Sequence, residues 1–239
     1  MSTKSTIART AEEIVRRFAS LGATRDWALV EGRHLIRLAA NSIRATHRGE
    51  LTEAERLLTE ARQRLDALAA TLRPSPSLYW AGYVQDAMKE VAEAAITLAI
   101  VTDQPVPSPT ELGVEDAAYL NALAEAASEL RRDVLDCLRA GDLPRAERLL
   151  TVMDDIYSAL VTVDVPDAIT GGLRRTTDAL RAVLERTRGD VTLAAVQGRL
   201  EQILGRLLDD APPVPSQAAD QASVARPAGS VTGVPTPKP

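Results

Sequence analysis

The chain has 239 residues, 45% of them hydrophobic, 26% charged and only 3% aromatic. So few aromatics among abundant Ala, Leu, Arg and Glu come close to excluding an all-β fold and make a parallel α/β sheet a poor fit. A net charge of −5 argues against a protein that coats nucleic acid by bulk charge, and leaves open a local basic patch.

In chain order, residues 2–7 are expected to fray, and a first helical region follows over about 8–48. A bend is expected near Gly22, and Leu35, Leu38, Ser42 and Ala45 make one stripe in its second half. Gly49 reads as a left-handed helix stop. Thr52 and Glu55 have capping-box spacing ahead of a helix to about residue 73. Pro74 and Pro76 separate it from a helix over about 78–102, and Pro105, Pro107 and Pro109 form a stiff linker. Helices over about 115–140, 143–162, 173–188 and 191–208 complete the set. The expected fold is all-α, a seven-helix antiparallel bundle over residues 1–209. Half of the 14 prolines fall within residues 211–239, in a stretch of Ala, Ser, Gln, Val and Gly. Residues 210–239 are therefore expected to be a disordered tail.

The hexapeptide from Ala54 to Thr59 recurs verbatim from Ala146 to Thr151, each copy after a Gly-acid-Leu break. With only two copies so far apart, it reads as two helices packing alike in one bundle rather than as a solenoid. The single Cys137 excludes an intrachain disulfide and a multi-cysteine zinc site. No secretory leader is visible and no uncharged run reaches the length of a membrane span. A cytoplasmic protein without a membrane partner is expected.

Phosphate-binding glycine loops, HExxH, CxxC and GxSxG are all absent from the sequence. His34 and His47 lack sequence partners and read as helix-surface residues. Carboxylates remain. Val84, Met88, Val91, Ala95 and Leu98 form the core stripe of their helix, with Glu90 and Glu93 as i,i+3 neighbours off it. Residues 94–101 are apolar all round, as in a helix buried on every side. Acids at the start of such a segment are drawn toward low dielectric, where an isolated charge is costly and a divalent cation would offset it. The alternative is a solvated half-helix whose acids pair with Lys89 or an arginine. On the next long helix, Leu120, Leu123, Ala127, Leu130, Val134 and Leu138 make the core stripe. Glu125 and Glu129 lie on its far side with Arg132 and Asp136. Alone, that is the pattern of a charged outer face.

Several stretches, in order, resemble the translin family, in particular its prokaryotic and archaeal members related to translin-associated factor X. They are residues 34–49 (HLIRLAANSIRATHRG), 79–94 (YWAGYVQDAMKEVAEA), 112–120 (LGVEDAAYL), 124–131 (AEAASELR), Gly141-Asp142, 167–178 (DAITGGLRRTTD) and 185–190 (ERTRGD). The resemblance implies an all-α protein that assembles into a hollow octamer and binds single-stranded RNA and DNA. The factor X branch implies a Mg²⁺-dependent endoribonuclease, with Mn²⁺ as a substitute, whose acids face the interior cavity. Its Glu-x-x-Glu pair falls on Glu90 and Glu93, its third metal-binding acid on Glu125 and a further catalytic acid on Glu129. The eukaryotic nuclease has Asp where this chain has Glu125, a longer arm with the same charge.

Arg131, Arg132, Arg174 and Arg175 are the candidate phosphate contacts. They read equally as ordinary surface charge. The expected partners are single-stranded RNA or DNA, further copies of the chain, and in one variant a second translin-family subunit. Two other readings stay open: a nucleic-acid-binding octamer without catalysis, and an all-α nucleoside triphosphate pyrophosphohydrolase, which also uses helix-borne Glu pairs and Mg²⁺ but whose motifs are not found here.

Overall fold

A computed structural model of the chain describes residues 3–209, and the expected tail lies outside them. In chain order the helices are α1 (Thr3–His47), α2 (Leu51–Leu72), α3 (Pro76–Tyr79), α4 (Gly82–Val101), α5 (Pro109–Leu112), α6 (Asp116–Arg139), α7 (Leu143–Leu160), α8 (Asp167–Thr170) and α9 (Leu173–Asp209). Among the described residues there is no strand. The all-α class follows, and among the described residues six long helices stand where seven were expected.

The differences are local. Helix α1 starts at Thr3 and passes through Gly22 without a break. Helix α9 joins the two expected last helices into one, because Gly189 weakens a helix without ending it. Glu50, not Thr52, is the N-cap of α2, and no side chain caps it. The single-turn helices α3 and α5 begin at prolines read as breaks and α8 follows Pro166; in α5, Ser108 and Glu111 form a reciprocal capping box.

Gly49 and Gly141, both at positive φ, close α1 and α6. After each, the next N–H reaches back to a carbonyl five residues earlier, Glu50 to Ala45 and Asp142 to Cys137, both at 2.9 Å. Three-residue turns then force α2 and α7 antiparallel to the helices before them. Ala54 and Ala146, the first residues of the repeated hexapeptide, are both fully buried. The repeat therefore does the same packing job in two hairpins.

Helix α4 is the centre of the bundle, packing against α1, α6 and α2. Val84, Ala87, Met88 and every residue of 91–100 are buried. The main core cluster joins Val84, Met88, Val91 and Ile96 among these to Leu35, Leu38 and Ala39 of α1 and to Ala122, Ala126, Leu130 and Val134 of α6. A second cluster packs Leu173 and Leu180 of α9 on Ala124 and Ala127 of α6 and Leu160 of α7. The alanines let α6 bury a wider arc than the expected stripe, of which Leu120, Leu123 and Leu138 are only half-buried.

Two compact units are distinguished, Met1–Gln197 and Gly198 onward. The described part of the second, residues 198–209, is helical and exposes Leu200, Ile203, Leu204, Leu207 and Leu208. Among the described residues no helix is long and apolar enough to cross a membrane.

Candidate functional site

The central position of α4 brings Glu90 and Glu93 against α6. One carboxylate oxygen each from Glu90, Glu93 and Glu125 lie within 4.8 Å of one another. Glu93 is buried, at 7% exposure, while Glu90 and Glu125 are half-buried. The charged face of α6 is therefore divided: Glu125 turns toward the acids of α4, while Arg132 and Asp136 remain exposed. Lys89 also joins the cluster, with its Nζ donating to Glu125 Oε2 at 2.6 Å and lying 3.4 Å from Glu90 Oε1.

The electrostatics follow from that crowding. Burial, then the charges of Glu90, Glu125 and Glu129, push the Glu93 carboxyl up to about 8. Burial also raises Glu90, with Lys89 opposing. For Lys89, burial works against the ammonium, but the hydrogen bond to Glu125 and the charges of Glu125 and Glu90 outweigh it and its pKa is raised.

Glu129 stands one turn further along α6 and faces the end of α1. His47 donates through Nε2 to Glu129 and through Nδ1 to Asp133, both at 3.0 Å. The expectation that His47 is a partnerless surface residue is overturned: its side chain is only 2% exposed and it ties α1 to α6. The hydrogen bonds to Asp133 and then Glu129 raise its pKa to about 9, so both ring nitrogens carry protons at neutral pH. The same bond from His47 holds the Glu129 carboxyl below its usual range. No signal near His47 in the sequence could have found this; only the placement of α1 beside α6 does.

The four candidate arginines are split. Arg131 and Arg132 line a shallow depression on α6 that also includes Glu129, Leu135 and Arg139. Arg131 is partly engaged within the fold, donating to Thr187 Oγ1 at 3.0 Å and pairing with Asp190 at 2.8 Å. Arg174 and Arg175 are exposed at the start of α9. Arg174 lines a different cleft, with Asp164, Asp167 and Asp178, none of whose lining residues belongs to the acidic cluster.

Three carboxylates gathered around a half-buried point suit a hard divalent cation, which takes oxygen ligands. The ammonium of Lys89 already sits on two of them, an observation in this fold that the locus draws cations.

No protein-family model matches the chain. An uncharacterized protein of Methanocaldococcus jannaschii is 27% identical over 199 residues, 81% of this chain and 86% of the relative. Among solved structures, AfC3PO in a complex with duplex RNA is 34% identical with a TM-score of 0.74, over 79% of this chain and 97% of that one. A crystal structure of AfC3PO gives 34% and 0.73, over 79% and 98%. Apo-NeC3PO, at 17% identity and a TM-score of 0.70 over 77% of this chain and 96% of that one, shares the fold. An identity above the level at which likeness shows only fold, extending over nearly the whole length of AfC3PO, settles kinship: the chain belongs to the translin/C3PO family.

Proposed function

We propose that the protein is a Mg²⁺-dependent endoribonuclease that cleaves short single-stranded RNA inside an oligomeric cavity. The observation that carries this reading is the convergence of Glu90, Glu93 and Glu125 on one half-buried point. RNA as the substrate is supported by kinship to AfC3PO, whose structure has been solved in a complex with duplex RNA. Glu90, Glu93 and Glu125 would hold Mg²⁺, or Mn²⁺ in its stead. The chemistry such an ion supplies is that of a Lewis acid, making water a better nucleophile and stabilising charge on phosphoryl oxygens.

The chain's own groups do the rest. Glu129, kept ionised by His47 and one turn along α6 from Glu125, is the candidate for orienting the attacking water by accepting a hydrogen bond from it. Arg132 and Arg139, exposed beside Glu129, meet the phosphate backbone, joined by Arg131 where RNA displaces Asp190. Arg174 and Arg175 serve more distant phosphates. The assembly in this reading is a homo-octamer, with a mixed octamer containing a second translin-family subunit as the alternative composition.

The test is single-turnover cleavage of a labelled single-stranded RNA in Mg²⁺, Mn²⁺ or EDTA, with duplex RNA, single-stranded DNA and nucleoside triphosphates as parallel substrates. Glu90→Gln and Glu93→Gln are expected to abolish cleavage while RNA binding, read by anisotropy in EDTA, stays equal or tightens. Glu125→Gln is expected to act likewise. If Glu90→Gln cleaves as fast as wild type, the site assignment is wrong. A wild-type protein that binds RNA and never cleaves it with either ion is a binding octamer, and one that hydrolyses only nucleoside triphosphates is a pyrophosphohydrolase.

A further inference from the structure

The chain carries lysine at only three positions, 4, 89 and 238, and positive charge elsewhere is almost entirely arginine. The single lysine of the central helices stands inside the acidic cluster. Lys89 precedes Glu90 on α4 and reaches across to α6, and its side chain is only 21% exposed. Its two anionic partners, Glu125 at 2.6 Å and Glu90 at 3.4 Å, are two of the three converging acids. An ammonium is a compact point charge on a flexible stem, able to leave one anion for another. The planar guanidinium of arginine is held by a fork of hydrogen bonds and is less easily released.

A divalent ion seated among the same oxygens meets this ammonium at contact distance. Two cations so placed repel, and each weakens the grip of the other on Glu90 and Glu125. Without a divalent ion, the ammonium relieves the repulsion among acids that the packing of α4 on α6 forces together. We propose that Lys89 is an internal competitor for the divalent ion, holding the cluster together when the ion is absent and displaced from Glu125 and Glu90 when it enters. The proposal rests on the metal reading of the cluster given above. Its consequence is an ammonium set free beside the ion, where the phosphodiester of a bound RNA arrives.

Two measurements on the full chain test it. Free Mn²⁺, followed by electron paramagnetic resonance during titration, gives the affinity of wild type, Lys89→Gln, Lys89→Arg and Glu93→Gln. Lys89→Gln is expected to bind Mn²⁺ roughly tenfold or more tightly than wild type, and Lys89→Arg more weakly than wild type, since a guanidinium is released less easily. On wild type alone, limiting acylation of lysine followed by peptide mass spectrometry is expected to show Lys89 modified faster in Mg²⁺ than in EDTA, with Lys4 unchanged as the internal reference.

Weaker Mn²⁺ binding in Glu93→Gln with no gain in Lys89→Gln overturns the role of the lysine and leaves the metal reading standing. Equal binding by Glu93→Gln and wild type overturns the metal reading, and the lysine proposal falls with it. Acylation of Lys89 that ignores saturating Mg²⁺ overturns the displacement independently of any variant.

Discussion

His47 and Glu93 titrate well outside their usual ranges, in ways that make the fold sensitive to alkali. For Glu93 the free carboxyl value is 4.5 and the folded value about 8. Below 4.5 the folded and unfolded chains are equally protonated there. Between 4.5 and 8 the unfolded chain gives up its proton first, so stability falls as pH rises. For His47 the free value is 6.5 and the folded value about 9, so its stabilisation is full below 6.5 and is lost as pH rises through 9. Both effects have the same sign, and the metal-free protein is expected to melt at progressively lower temperature from pH 5 to pH 9.

Glu93→Gln should remove the lower part of that slope and raise stability at pH 8 by on the order of 3 kcal/mol. Calorimetry in EDTA checks it; an unchanged slope contradicts the buried-acid picture. His47→Gln should remove the upper part and cost about 2 kcal/mol at pH 7, since Asp133 and Glu129 are left facing each other. Glu90, Glu93 and Glu125 were legible as candidates because their spacing and the apolar run after Glu93 are local facts. The partners of His47 were not, because Asp133 and Glu129 lie 86 and 82 positions away. Nor could the sequence say that Glu125 faces the acids of α4 and Glu129 the end of α1, since a charged helix stripe looks the same toward solvent and toward a polar cluster.

At the scale of the element, glycine separates two kinds of position. Gly189 lies within α9 and a Cβ there would meet nothing within 4 Å. Gly189→Ala is expected to stabilise the protein by about 0.5–1 kcal/mol, visible as a rise in melting temperature. On α1, a Cβ at Gly32 would stand 3.4 Å from the carbonyl oxygen of Tyr83, where α1 approaches α4 closely. Gly32→Val should force these helices apart and destabilise by roughly 1–3 kcal/mol. Equal melting temperatures for the two variants would deny this contrast. The same residues explain what the sequence could and could not say of the helices. Gly49 and Gly141 stop helices because the positive φ of each closes a capping hydrogen-bond pattern. Gly22 and Gly189 carry the same residue type but no such pattern, and the helix runs on. Composition alone does not distinguish the two.

At the scale of the whole molecule, apolar side chains without cover are the main feature. On α1, Ile7, Val15, Phe18 and Val30 are each more than 60% exposed, and on α9 Leu193 and Val196 are 69% and 59% exposed. Large apolar side chains exposed along two long helices are surface that a second copy of the chain could cover. Light scattering is expected to give a mass near eight times 25.6 kDa. Phe18→Glu combined with Leu193→Glu should shift it to smaller species; a concentration-independent monomer in the wild type would contradict the assembly.

The two hairpins, α1–α2 and α6–α7, close through three-residue turns, so their pairing can start from contacts a few residues apart. The acidic cluster instead needs α4 seated on α6 with α1 alongside, across separations of 36, 82 and 86 residues. A hairpin can grow from its turn, whereas the acids meet only when helices not joined by such a turn have docked, so the cluster is expected to assemble after the hairpins. An ion bound among the crowded acids is then expected to have little to hold at the folding barrier. In stopped-flow measurements at pH 7, Mg²⁺ is expected to slow unfolding while leaving the refolding rate nearly unchanged. The cluster in this sense acts as a lock on the finished bundle and takes no part in nucleating it.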